Sequence, residues 1–76
     1  MTEGQTTLLG TTTSWDPEVG SHTLFRVDGK NGTVFRIESN FGEFGDDREE
    51  YGDEDSVQSE WSRIVRDVEN SYKEFE

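Results

Sequence analysis

The sequence predicts an α+β fold: a small antiparallel sheet with one face covered by a single C-terminal amphipathic helix. Residues 22–39 alternate between apolar and polar around an Asn-Gly pair, which is the pattern of a β-hairpin. The apolar residues of the last segment instead recur with helical spacing. Between the N-terminus and the hairpin lies a Thr-rich stretch suited to a third strand.

Gln5–Trp15 is rich in β-branched Thr and holds Leu8 and Leu9, so a strand is expected near Thr6–Ser14, interrupted at Gly10. Residues 1–5 are expected to lie outside the ordered fold. Trp15–Ser21 reads as a loop, because Pro17 lacks an amide donor and Gly20 relaxes the backbone. In the hairpin, Thr23, Phe25 and Val27 share one face of the first strand, and Thr33, Phe35 and Ile37 share one face of the second. If both sets face the core, Val27 stands opposite Phe35 and Phe25 opposite Ile37. Lys30-Asn31-Gly32 is then a three-residue loop with Gly32 free to adopt a positive φ. Leu24 and Val34 fall on the opposite face, as an apolar spot suited to a partner or to a homodimer.

Asn40–Gly45 reads as a glycine-punctuated loop or short strand whose Phe41 and Phe44 close the core. Residues 45–54 read as an acidic loop: from Asp46 to Asp55, seven of ten residues are acidic and one is basic. From about 56 to 75 an amphipathic helix follows. Val57, Trp61, Ile64, Val65, Val68, Tyr72 and Phe75 form its apolar stripe, and Asp55 is its expected N-cap, with Gln58 as capping-box partner and Ser56 as the alternative cap. Trp61, Ile64, Val68 and Tyr72 are expected to pack on Phe25, Val27, Phe35 and Ile37. The i,i+4 pairs Arg63–Asp67 and Glu69–Lys73 belong to the exposed side.

The 76 residues make one domain at most, and a core this small supplies only about 3–5 kcal/mol of net stability. There is no Cys and His22 is the single His, which argues against disulfides and against a zinc site. Hydrophobic residues are 28% of the chain and the formal charge is −11. The start carries no basic, apolar leader and no stretch reaches the length of a membrane span, so a cytoplasmic protein is expected. Asn31-Gly32-Thr33 matches a glycosylation sequon, read as coincidence without a secretion signal.

Catalysis finds little support in these residues. His22 opens an amphipathic strand with no nucleophile motif beside it, and reads as a solvated strand-end histidine. A carboxylate pair able to hydrolyse glycosides needs a cleft that a domain of this size does not easily build. No phosphate-cradling glycine motif occurs, and the carboxylates around Gly42, Gly45 and Gly52 would repel phosphate. Direct nucleic-acid binding is disfavoured on the same ground. Aligned as a calcium loop, Gly52 takes the glycine position, but Tyr51 and Gln58 stand where an Asp or Asn and a bidentate Glu are required. No metal or cofactor is expected.

Three readings of the acidic run follow. It is a solvated charged loop and helix start, as most charge runs are. Alternatively it is adaptation to high salt: many Asp and Glu, few Lys and a lean apolar fraction resemble proteins of salt-loving archaea, although the chain has no Ala. In the third reading it is a functional surface, a carboxylate array that imitates the phosphate backbone and occupies a basic groove. In size and charge the whole chain resembles phage-encoded DNA-mimic inhibitors, including uracil-DNA glycosylase inhibitors and several anti-CRISPR proteins, without a shared motif. That resemblance implies a non-enzymatic inhibitor whose partner is a basic nucleic-acid-binding protein. The residues assigned to the contact are Asp46, Asp47, Glu49, Glu50, Asp53, Glu54 and Asp55. The last three also stabilise the helix dipole, each by about 0.3–1 kcal/mol.

Overall fold

A computed structural model describes residues 4–73 and has the expected α+β architecture. Strands β1 (Gln5–Thr13), β2 (Ser21–Gly29), β3 (Gly32–Asn40) and β4 (Asp46–Tyr51) form an antiparallel meander in sequence order. Helix α1 (Glu54–Lys73) packs across one face. Expectations for residues 1–3 and for Phe75 lie outside the described residues. Gln5, expected outside the ordered fold, opens β1 opposite Asp28.

β1 is interrupted where the sequence indicated. Leu8 pairs with Phe25 and Gly10 with Leu24, so Leu9 is the extra residue of a bulge. Gly10 faces the helix, and a Cβ there would stand 3.4 Å from the Trp61 ring. The loop into β2 is closed by Ser14 N–H bonding the Gly20 carbonyl and Gly20 N–H bonding the Asp16 carbonyl. Gly20 has φ +84, and a Cβ would lie 2.6 Å from the Phe41 ring, so this position requires glycine.

The β2–β3 register corrects the expected hairpin. Val27 opposes Val34, Arg26 opposes Phe35 and Leu24 opposes Ile37, with Lys30-Asn31 as a two-residue connection between the paired Gly29 and Gly32. Thr23, Phe25 and Val27 therefore lie away from the helix, and the core face of β2 is His22 and Leu24. Leu24, expected on an outer spot with Val34, is 7% exposed beneath α1. Both faces of β2 carry apolar side chains, so alternation alone does not select the buried one. The helix selects the face whose β3 partners are Phe35 and Ile37.

The core joins Leu24 and Ile37 of the sheet to Val57 and Ile64 of the helix, with Phe35, Tyr51 and Trp61 packed around them. Val68 is buried further along α1, and Val65 is half-buried. Ser71, rather than Tyr72, continues the buried stripe, while Tyr72 is exposed. Hydrogen bonds tie the far end of α1 to the end of β1 and to the loop that follows it. Ser14 and Ser71 hydroxyls meet at 2.7 Å, the Trp15 indole donates to the Ser71 carbonyl, and the Tyr72 hydroxyl donates to the Thr13 carbonyl.

His22 is buried rather than solvated. Its Nε2 lies 2.6 Å from the Val19 carbonyl, its Nδ1 2.8 Å from the Ser39 hydroxyl, and Phe41 meets it edge-on. A carbonyl can only accept, so Nε2 donates to Val19, and Nδ1 and the Ser39 hydroxyl share the second hydrogen bond. Phe41 thus closes one end of the core, whereas Phe44, on a 3₁₀ turn (Gly42–Phe44), projects into solvent.

Candidate protein-binding surface

The acidic segment is an edge strand and a helix start, which corrects the loop expected at 45–54. β4 pairs with β3 on one side, and among the described residues no strand pairs with its other edge. Period-2 alternation splits its side chains. Asp46, Arg48 and Glu50 oppose Asn40, Glu38 and Arg36 on the outer face, whereas Asp47, Glu49 and Tyr51 oppose Ser39, Ile37 and Phe35 on the helix face. The four carboxylates Asp46, Asp47, Glu49 and Glu50 are all exposed.

Several of these groups have local partners. Asn40 donates to Asp46 at 2.6 Å, and Arg36 lies 3.7 Å from Glu50 while bonding Glu38 at 2.9 Å. The Tyr51 hydroxyl donates to Glu49 at 2.7 Å. Burial of the phenol, the bond to Glu49 and the nearby negative charges of Glu49 and Glu60 push Tyr51 up to about 12. The side chains of Asp47, Glu54 and Asp55 make no hydrogen bond or ion pair with another described residue.

Gly52-Asp53 connects β4 to α1, and the cap is Asp53 rather than Asp55 or Ser56. Its carboxylate accepts from the Ser56 N–H at 2.9 Å and from the Ser56 hydroxyl at 3.1 Å, while its carbonyl accepts from Val57 N–H. Glu54 and Asp55 occupy the first turn, at the positive end of the helix dipole. The seven carboxylates assigned from the sequence therefore fall into three groups: four on the edge strand, one in the cap and two on the first helical turn.

Behind the edge strand, a hollow between sheet and helix is lined by His22, Ser39, Asp47, Glu49, Glu60 and Arg63. Arg63 binds Glu60 and, at 3.1 Å, Asp67, which is the expected i,i+4 pair. Among the described residues, no three His, Cys, Asp or Glu side chains gather as a metal site, and no helix is long and apolar enough to cross a membrane. The calcium-loop alignment falls on a strand followed by a helix.

No family model, curated protein or solved structure matches the chain.

Proposed function

We propose that the chain is a non-enzymatic protein-binding module whose acidic edge strand and helix start occupy the basic surface of a nucleic-acid-binding protein. The strand conformation of residues 46–51 carries this reading. A β-strand rises about 3.4 Å per residue, the same as the axial spacing of charges along one DNA strand. Successive side chains alternate between faces, so Asp47 and Glu49 stand two rises apart on one face and Asp46 and Glu50 four rises apart on the other, at fixed positions that an irregular loop would not hold. The charge is also concentrated. Seven carboxylates and Arg48 give residues 46–55 a net −6, leaving −5 of the total −11 for the other sixty-six residues. Such a field speeds encounter with a basic partner and is screened by salt.

Asp53 is committed to the helix cap, so the binding residues are Asp46, Asp47, Glu49 and Glu50, extended by Glu54 and Asp55. The test is affinity capture on the immobilised chain from an extract of its source cells. Nucleic-acid-binding proteins should be retained at low salt and released by duplex DNA or RNA. The variant with Asp46, Asp47, Glu49 and Glu50 all changed to Lys should retain none. Equal retention by that variant would remove these residues from the contact.

A salt-adapted domain is the second reading, favoured by further exposed carboxylates away from β4, at Glu18, Glu43, Asp67 and Glu69. It predicts a chain that loses order at low ionic strength and gains it in molar KCl. Circular dichroism that does not change with salt would contradict it.

A further inference from the structure

The sheet has a second face, opposite α1, that no described residue covers. Leu8, Phe25, Val27 and Val34 lie together on it, since Leu8 opposes Phe25 and Val27 opposes Val34. Leu8 is 60% exposed and Val34 36%, while Phe25 and Val27 are half-buried. The molecule is accordingly a slab of 49 × 26 × 15 Å. Its radius of gyration is 13.8 Å, against about 11 Å expected for a compact chain of this length.

Charge indicates what belongs there. Beside the apolar patch stand Arg36 and Arg48 with Glu38 and Glu50, two cations and two anions, with Arg36 held between both glutamates. Apart from Asp46 at the corner, this face is neutral on a chain of net −11. A basic partner gains little from it, whereas a second copy presents the same balanced mixture and meets no like-charge patch. Size agrees. Three strands of nine residues and a shorter fourth span about 30 × 19 Å, so two faces bury about 1,100 Å² in all, above the roughly 1,000 Å² of a specific interface.

We infer that two copies pack these faces together about a two-fold axis, making a two-sheet sandwich with the helices outward. Asp47, Glu49, Glu54 and Asp55 stay on the accessible side, whereas Asp46 and Glu50 border the seam. Leu24 takes no part, because it lies under α1.

Sedimentation equilibrium tests this. The chain should reach twice its 8.7 kDa mass as concentration rises towards ~1 mM. Added KCl should tighten the dimer, because it screens repulsion between two −11 chains, opposite to its effect on a basic partner. Val34→Glu and, separately, Leu8→Glu should raise the dissociation constant about 100-fold with unchanged circular dichroism, since two-fold symmetry buries each new charge twice. Phe44→Ser, on a residue 70% exposed in the 3₁₀ turn between β3 and β4 and outside the paired strands, should leave the dimer intact. A chain monomeric at ~1 mM in molar KCl would overturn the inference. So would a dimer indifferent to Val34→Glu and Leu8→Glu, or one lost in Phe44→Ser.

Discussion

Leu24 and Ile37 face each other beneath α1, and their burial makes the two faces of β2 energetically unequal. Leu24→Ala should therefore cost about 2–5 kcal/mol in urea unfolding. Val27→Ala, on the half-buried opposite face, should cost about 1 kcal/mol. The reverse order would restore the register in which Phe25 and Val27 face the core. The apolar pattern of β2 does not decide this: Leu24 is one apolar residue between two polar ones on its face, His22 and Arg26, whereas Phe25 and Val27 look like a pair. His22 was illegible for a related reason, since its two partners, Val19 and Ser39, come from a loop and from a neighbouring strand. Tyr51 carries a pH dependence. Its phenol titrates near 10.0 when unfolded and at about 12 when folded, so between these values the unfolded chain holds fewer protons. Stability must then fall as pH rises from about 10 to about 12. Tyr51→Phe should flatten that part of the melting-temperature profile, and an unchanged profile would show that Tyr51 does not cause it.

Helix α1 was the most legible element, because its stripe of Val57, Trp61, Ile64 and Val68 at helical spacing has no competing period. It begins at Glu54, two residues before the start that the spacing predicts. Asp53, Asp55 and Ser56 are all competent caps by residue type, and the backbone path out of β4 selects Asp53. Asp53→Ala should cost about 0.5–2 kcal/mol in chemical unfolding, whereas Asp55→Ala should cost only a few tenths. β4 is not legible in the sequence, because four carboxylates in six residues contradict strand propensity. Pairing with β3, together with Tyr51 packed on the core, overrides it. On a free edge those charges also deter pairing with another sheet. Changing Asp47 and Glu49 to Thr and Val should therefore increase light scattering on concentration, while single changes on the exposed side of α1 should not.

At the scale of the molecule, one sheet carries surfaces of three characters: a buried face under the helix, a neutral apolar face, and an acidic edge. The fold class follows from periodicity, which reports hydrophobic burial. The acidic edge was legible as charge density but not as geometry, because composition counts carboxylates without placing them on alternate faces of a strand. Its partner is the central claim. The most direct measurement is calorimetric titration of the captured nucleic-acid-binding protein with the chain, with and without that protein's own DNA or RNA bound. Mutually exclusive binding that weakens as salt is added is the predicted result. A ternary complex, with the chain bound and the nucleic acid still in place, would contradict it.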